Sequence, residues 1–266
     1  MNIAFWSNVR HRSGVTSSIA LIGTLWGKLY EEEIAVTSNH VCNYSLAKRL
    51  YGGSEYEEKT AKRAYSYVLG EPEYFRMLYG GKIRSAIWLN ENLSFIPMEG
   101  GKSDLFGAEG LWGVKEKAVD KDYLMIDTAS GCGQGSQKIL EEAELTVVIF
   151  PPERDCVDAF FQSKSKLREN SFFILGNYQT VPSCRPSYLT KRYLIPKERI
   201  GIIPYNGGFE QAMREGNTIA YVMRNMNCSR RNSAYRLFQS ATETVKNLRD
   251  YAISRRMMTC GECDEV

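Results

Sequence analysis

The chain has 266 residues, of which 43% are hydrophobic and 24% are charged, and its formal net charge is +3. This composition is typical of a globular protein and excludes a largely disordered chain. The charge is too small to indicate a nucleic-acid-binding protein, so we expect no nucleic acid partner. No apolar run approaches the ~18 residues that cross a bilayer, so we expect no integral membrane segment and a cytoplasmic location.

Short apolar segments alternate along the chain with segments of helical periodicity. The predicted strands are Ile3–Trp6, Ile34–Thr37, Ser94–Pro97, Tyr123–Ile126, Leu145–Phe150, Ser171–Leu175 and Ile200–Ile203. The predicted helices are Thr16–Tyr30, Tyr44–Leu50, Tyr56–Leu69, Gln137–Ala143, Val157–Leu167, Phe209–Glu215 and Ser233–Ile253, with a further helix or turn around Phe75–Leu78. This alternation predicts an α/β fold, a doubly wound and mostly parallel sheet with helices on both faces. We expect one domain over residues 1–256 and a flexible tail over residues 257–266.

The stretch AFWSNVRHRSGVTSSIALIG, residues 4–23, runs from a strand through a polar turn into a helix. Nucleotide-binding proteins cradle phosphates with this order of elements. The turn contains one glycine, Gly14, followed by Thr16, Ser17 and Ser18. It contains no lysine, although a P-loop uses one to contact the β- and γ-phosphates. The residues alone leave open whether this is a damaged P-loop, an unusual working one or no P-loop.

Polar residues follow three later strands, where ligands bind to parallel sheets. Asp127 ends the segment YLMID and is either a Mg²⁺ ligand or the cap of the next turn. Asn177 follows FFILG and is either a reader of a purine edge or a turn residue. Pro204, Tyr205 and Asn206 follow the last strand and precede a glycine pair and a helix.

Together these segments resemble the ParA/MinD family of deviant P-loop ATPases over roughly residues 2 to 225. The segment YLMIDTASG resembles the Walker B strand of that family, and AELTVVIFPPERDCVDAF is similar to its ADxVxxVxxPxxxSVxDA segment. FFILGNYQ resembles its strand that ends in a base-reading asparagine. The most specific match is IGIIPYNGGFEQAMREGNTIAYV, which resembles LGxIPYDxxxxxAxxxG. IAVTSNHVCNYSLAKRLYGG occupies the place of VLLVDADLxxxNLDxLLG.

The opening loop departs from the family pattern KGGVGKTT, which lies over residues 10–17 without gaps. Val15 replaces the P-loop lysine, His11 and Arg12 replace two glycines, and Arg10 replaces the signature lysine. Gly14 and the hydroxyl of Thr16 remain. In the second segment, residues 37–40 contain no carboxylate where the family has two aspartates. The loop FWSNVRHRSGVTSS is most similar to the corresponding loop of TadZ-like proteins of the Flp/Tad pilus system. Because the lysine and two glycines are replaced, the resemblance is to a degenerate P-loop.

The resemblance implies ATP and Mg²⁺ as cofactors. It assigns phosphate binding to the opening loop, through Arg10, Arg12, Ser13, Gly14, Val15, Thr16 and Ser17. It assigns Mg²⁺ to Thr16 and Asp127, and base binding to Asn177, Pro204, Tyr205 and Asn206. No catalytic residue is assigned, because the lysine and the water-positioning carboxylate are both replaced.

The resemblance also implies a function. We expect an atypical ATP-binding protein that forms a homodimer and acts in localisation or assembly, with very slow hydrolysis or none. A Tad-type pilus is one system that it could serve. Its partners would then be pilus, secretion or cell-pole proteins, which would recruit it to the membrane or the pole. The alternative is a pseudo-ATPase scaffold that binds no nucleotide and works only through protein–protein contacts.

Overall fold

The computed structural model describes residues 1–10, 12–39, 46, 49–50, 87–96, 108–131, 133–179 and 182–261. Within these ranges the strands form one eight-stranded sheet with the order β3-β4-β2-β5-β1-β6-β7-β8. Their bounds are β1 Asn2–Trp6, β2 Ile34–Ser38, β3 Ile87–Asn90, β4 Leu93–Phe95, β5 Tyr123–Asp127, β6 Leu145–Phe150, β7 Ser171–Tyr178 and β8 Ile200–Pro204. The edge strand β3 is antiparallel to β4, and the other neighbouring pairs are parallel.

Helices follow most of the parallel strands. In the described residues they are α1 Val15–Tyr30, α2 Ala108–Lys117, α3 Gln134–Glu142, α4 Arg154–Ser163, α5 Pro186–Tyr193, α6 Gly207–Glu215, α7 Thr218–Asn225 and α8 Tyr235–Gly261. Two short 3₁₀ turns cover Ser165–Arg168 and Lys197–Arg199.

Alternate residues of the buried strands supply two separate cores. In β1, Ile3 and Phe5 belong to a cluster with apolar residues of α1, α6, α7 and α8. Ala4 and Trp6 belong to a second cluster with residues of α2, α3, α4 and α5. Successive side chains of a strand point to opposite faces, so both faces of the sheet are covered. The prediction of a doubly wound, mostly parallel sheet is therefore confirmed.

Several predicted elements differ in extent from the observed ones. The third predicted strand is observed at Leu93–Phe95, and the antiparallel strand before it, together with α2, α5 and α7, was not predicted. The helix expected to end at residue 167 ends at Ser163, because a 3₁₀ turn follows it. The last helix continues to Gly261, into the first residues of the predicted tail. The expected helices at 44–50, 56–69 and around 75–78 lie wholly or largely outside the described residues.

Helix α8 is fixed to the sheet by polar contacts at two levels. Ile202 donates its backbone N–H to the Thr244 hydroxyl at 2.9 Å, and the Ser240 hydroxyl donates to the Ile202 carbonyl at 2.8 Å. Later in the same helix, Arg249 binds the carboxylate of Glu32, which lies between α1 and β2, with Nε and Nη2 at 3.0 and 2.7 Å. The pKa of Arg249 is raised chiefly by its hydrogen bond to Glu32. These contacts fix α8 as one wall of the groove described below.

Candidate functional site

The register of the sheet brings three strand ends to one edge. Asp127, the last residue of β5, pairs with Phe5 of β1 on one side and with Ser38 of β2 on the other. Farther along the edge, Tyr178 of β7 pairs with Pro204 of β8. Because all these strands are parallel, the loops that follow them lie at the same edge, where such sheets bind ligands.

The loop after β1 reaches α1 through a left-handed residue. Gly14 has a φ of +75° and directly precedes the helix. Among the residues that the structure describes, no side chain accepts a hydrogen bond from this helix start, and the first turn contains no acidic residue. The Ser17 hydroxyl instead donates to the Gly14 carbonyl at 3.0 Å. The first backbone N–H groups of α1 therefore have no side-chain cap, which leaves them able to bind an anion.

Val15, which stands in the place of the P-loop lysine, faces the hydrophobic core. Its side chain is only 6% exposed and lies in the same cluster as Ile19 and Phe5. It was included among the predicted phosphate-binding residues. Its side chain cannot serve that purpose because it points into the core and has no polar atom. Only its backbone remains available to a phosphate.

The two arginines of the loop are exposed and lie in different surroundings. The guanidinium of Arg10 covers Gly131, where a Cβ atom would lie 3.4 Å from Nε. Gly131 also accepts a hydrogen bond from the Trp6 indole at 3.1 Å and donates to the Ser7 carbonyl at 3.1 Å. The Arg10 charge thus lies beside the loop that follows Asp127. The Arg12 carbonyl is directed towards β7, and His11 lies outside the described residues.

Asp127 is completely buried at the end of β5. Its carbonyl accepts a hydrogen bond from Asn39 N–H at 3.2 Å, and Asn39 Oδ1 accepts one from Ala129 N–H at 2.6 Å. Asn39 thereby joins the ends of β2 and β5. The second family segment thus supplies an amide here instead of a carboxylate, and His40 lies outside the described residues. Thr16, the other predicted Mg²⁺ ligand, lies half-buried in the first turn of α1.

Gly176 and Asn177 hold the loop between β1 and α1 against β7; we call this loop, residues 7–14, the phosphate loop after its predicted role. A Cβ atom at position 176 would overlap the Ser13 carbonyl oxygen, so only glycine permits this approach. Asn177 has a φ of +49°, and its Nδ2 donates to the Arg12 carbonyl at 3.2 Å. Its amide also lies against Gly14, where a Cβ atom would be 3.2 Å from Nδ2. Asn177 is predicted to read a base, and in this structure its amide lies against the phosphate loop.

A groove of about 810 Å³ lies beyond the ends of β7 and β8. We call it the β7–β8 groove, and its lining residues are Tyr178, Gln179, Pro204, Tyr205, Asn206, Ser233, Arg236 and Leu237. It contains the three base-binding residues predicted after β8. Sequence analysis did not assign a role to Tyr178, Gln179 or Arg236. Tyr178 and Gln179 directly follow Asn177 in the segment FFILGNYQ, whereas Arg236 is on α8, distant in the chain.

The side chain of Asn206 is already used within the fold. Its Oδ1 accepts hydrogen bonds from Phe209 N–H at 2.9 Å and from the Tyr221 hydroxyl at 3.0 Å, and its Nδ2 donates to the Ser233 carbonyl. It caps α6, so a base would meet the backbone here and not this amide. The pKa of Tyr205 is raised, chiefly by its hydrogen bond to Glu210, and both tyrosines of the groove are neutral at pH 7. Arg236 is therefore the charged side chain of the lining.

The sequence matches no protein-family model and none of the curated proteins compared with it. The structure is similar to MinD from Pyrococcus horikoshii complexed with Mg-ADP, with a TM-score of 0.65 over 96% of this chain and 99% of that one. Sequence identity in this pair is 14%. The fold is that of the MinD/ParA P-loop ATPases.

Other structures with the MinD/ParA fold give the same result. A ParA family ATPase from Chlorobium tepidum has a TM-score of 0.58 at 12% identity, covering 92% of this chain and 98% of that chain. MinD in the MinC:MinD complex of Aquifex aeolicus has a TM-score of 0.56 at 15% identity, covering 94% of this chain and 96% of that chain. None of the described helices combines the length and the hydrophobicity of a transmembrane segment.

The residues at this edge fit a nucleotide and Mg²⁺ in part. The uncapped start of α1 suits phosphate, and the buried Asp127 and the Thr16 hydroxyl suit Mg²⁺. Within the described ranges no three His, Cys, Asp or Glu side chains cluster to hold a metal by themselves. A metal here would therefore depend on phosphate oxygens and water for its other ligands. The buried Val15 fits nucleotide binding only through its backbone.

Proposed function

We propose that this protein binds ATP and Mg²⁺ at the carboxyl edge of its sheet and hydrolyses ATP very slowly or not at all. The observation that carries the proposal is the convergence of an uncapped helix start, a buried aspartate and a groove at that one edge. Arg10 and Arg12 supply positive charge beside the helix start, in place of the missing lysine. Thr16 and Asp127 hold Mg²⁺, and the β7–β8 groove receives the base.

The binding strength in this proposal comes from the backbone. A P-loop binds phosphate largely with N–H groups and with the dipole of the helix that follows, and neither needs a lysine. Ser13, Gly14, Val15, Thr16 and Ser17 retain those groups. Mg²⁺ would neutralise part of the charge on the β- and γ-phosphates. The carboxylate of Asp127 and the hydroxyl of Thr16 are oxygen ligands that this ion prefers.

Slow hydrolysis follows from the side chains that are absent. Charge that develops on the transferred phosphoryl group must be met by fixed cations. A missing donor of this kind lowers the rate by roughly 10²–10³-fold. Asn39 bridges β2 and β5 where the family has a carboxylate that positions water, so the loss is larger still. We expect turnover below about 1 s⁻¹, the lower end of the usual enzyme range.

We further propose that the protein acts as a homodimer that positions or assembles partner proteins. The support is the resemblance of its motifs to ParA/MinD proteins and the fold it shares with MinD, which is seen in a complex with MinC. Arg10 would lie at the dimer interface. A Tad-type pilus as the assembly that it serves rests on the resemblance of the opening loop to TadZ-like proteins. Such partners would bring it to the membrane or the cell pole.

One observation favours the scaffold alternative, in which no nucleotide binds. The amide of Asn177 lies against Gly14 and is bonded to the Arg12 carbonyl, so it fills space beside the phosphate loop. A nucleotide whose base is read by Asn177 would require this amide to move away from the loop. In the scaffold alternative the loop keeps this closed arrangement and only the protein–protein surface functions.

Calorimetry with ATP and Mg²⁺ separates the two. We expect measurable heat and a rise in Tm, and at least a tenfold weaker affinity in an Arg10→Gln/Arg12→Gln variant. A variant Arg230→Gln/Arg231→Gln removes the same charge from an exposed segment before α8 and should bind as the wild type does. No heat and no change in Tm at millimolar ATP would establish the scaffold alternative. Equal losses in the two variants would show only a general effect of charge.

A further inference from the structure

A second cavity, of about 770 Å³, is lined by the first residue of α4, by the segment that precedes α5 and by α5 itself. We call it the cationic pocket, and its lining residues are Arg154, Pro182, Ser183, Arg185, Ser187, Tyr188, Lys191 and Arg192. None of these residues belongs to the nucleotide site proposed above. Four of the eight carry a positive charge and none carries a negative charge.

Most of this positive charge is not neutralised by the protein. Arg192 lies 3.8 Å from the Asp158 carboxylate. In the described residues, Arg154, Arg185 and Lys191 have no carboxylate within 4.0 Å, and all three are exposed. Like charges around one concavity repel each other and focus a positive potential into it. The cluster therefore costs stability unless an anion occupies the cavity.

Tyr188 organises the pocket. Its hydroxyl donates to the Asp158 carboxylate at 2.8 Å, and Tyr193 donates to the same carboxylate at 2.6 Å. The guanidinium carbons of Arg154 and Arg192 both lie within 6.0 Å of the centre of the Tyr188 ring. Stacking on this ring restrains both guanidinium groups without using N–H donors. Arg192 Nε donates to the Tyr193 hydroxyl at 3.4 Å, and the other N–H groups of the two arginines remain able to bind a ligand.

The loop that carries Arg185 is also fixed. The Ser183 hydroxyl and the Cys184 backbone N–H both donate to the Pro152 carbonyl, at 2.8 and 2.9 Å. Arg185 immediately precedes α5, and Ser187 lies in its first turn. The positive end of the helix dipole adds to the charge of the side chains. The pocket is therefore pre-organised by contacts of its lining with Pro152 and Asp158, which lie outside that lining.

We propose that the cationic pocket is a binding site for a phosphate-bearing anion, a free oligophosphate or the headgroup of an acidic phospholipid. Three of its four cations are arginines, whose planar forks match the oxygens of phosphate better than a lysine does. They surround a concavity, so a tetrahedral group with several oxygens can be contacted from more than one side. This site is additional to the proposed nucleotide site and does not depend on it.

The test uses the whole chain with two probes: sodium tripolyphosphate in calorimetry, and vesicles of equimolar phosphatidylcholine and phosphatidylglycerol in co-sedimentation. The pocket variant is Arg154→Gln/Arg185→Gln, whose exposed side chains can be replaced without disturbing the core. The charge-matched control is Arg230→Gln/Arg231→Gln. A third variant, Arg10→Gln/Arg12→Gln, reports any tripolyphosphate bound at the nucleotide site. Circular dichroism melting establishes that all variants are folded.

The proposal predicts at least tenfold weaker binding at one site in the pocket variant and unchanged binding in the control variant. The third variant keeps that site and loses only the tripolyphosphate that is bound at the nucleotide site. If only tripolyphosphate shows this pattern, the ligand is a free oligophosphate; if the vesicles also show it, the ligand is a lipid headgroup. Failure of the wild type to bind either probe overturns the proposal, as does an equal loss in the control variant. The proposal is also overturned if the third variant alone loses tripolyphosphate binding. Binding of duplex DNA or an acidic peptide in place of both probes overturns it as well.

Discussion

Gly176 is the point where β7 touches the phosphate loop, and replacing it by alanine tests that contact. The new methyl group would overlap the Ser13 carbonyl and lie 2.9 Å from Cγ2 of Ile149. The first of these neighbours is backbone, and Ser13 is buried, so it cannot rotate away. The loop between residues 7 and 14 must therefore move off the strand.

The size of the effect follows from the nature of these neighbours. Inserting a methyl group into a packed interior typically costs 1–3 kcal/mol, and more when backbone must shift. Because both neighbours are too close, we expect a loss of about 3 kcal/mol, at the upper end of this range. Displacement of the loop should also weaken ATP binding at least tenfold, since Ser13 and Gly14 would leave their places beside Asn177.

Urea unfolding and calorimetry measure the two effects. With a slope of about 1–3 kcal/mol per molar urea, the midpoint should fall by at least about 1 M. Gly113→Ala, on α2, is the matched control, because a Cβ atom there has no neighbour within 4 Å among the described residues. It should leave stability unchanged or raise it by about 0.5–1 kcal/mol. A Gly176→Ala protein with the wild-type midpoint and ATP affinity would refute the contact between strand and loop.

Three further predictions concern single side chains. Arg249→Met should lower the free energy of unfolding by about 2 kcal/mol, because it leaves the mostly buried Glu32 carboxylate without its bidentate partner. Urea unfolding of this variant, of Glu32→Gln and of the double variant measures the coupling between the two side chains. An absence of coupling would show that the pair is unimportant. Asn177→Gly keeps the left-handed backbone and removes the amide that binds the Arg12 carbonyl. If the amide serves the phosphate loop, the affinities for ATP and for tripolyphosphate should change together. A change in the affinity for ATP alone indicates that the amide reads the base. Burial raises the pKa of the Cys184 thiol to about 11, so in the folded protein this thiol should resist iodoacetamide at pH 8. The folded pKa of the Cys184 thiol exceeds the ordinary value of 9, so the contribution of this thiol to stability is complete below pH 9 and is lost as the pH rises towards 11. Rapid labelling of Cys184 at pH 8 would contradict the raised pKa.

The extent of the sequence prediction can be judged from particular elements. Leu145–Phe150 was predicted at its observed bounds, because a run of five apolar residues and one threonine between polar segments has few other interpretations. Asp127 and Gly14 were placed at one edge because parallel strands end on the same side. In contrast, α5 was missed: its sequence PSYLTKRY has few apolar residues, and its buried contact rests chiefly on Leu189. The antiparallel β3 was missed because only its pairing with β4 defines it.

The sequence by itself determined the succession of the seven parallel strands, the positions of Gly14, Asp127 and Pro204 at or after strand ends, and the absence of lysine from the opening loop. These depend on residue types and short-range periodicity, which the chain displays directly. Tertiary structure alone decided which way each side chain points. It turned Val15 into the core, placed the Asn177 amide on the phosphate loop, and brought α8 to the β7–β8 groove. Such contacts join residues far apart in the chain, so they follow from packing and not from local pattern.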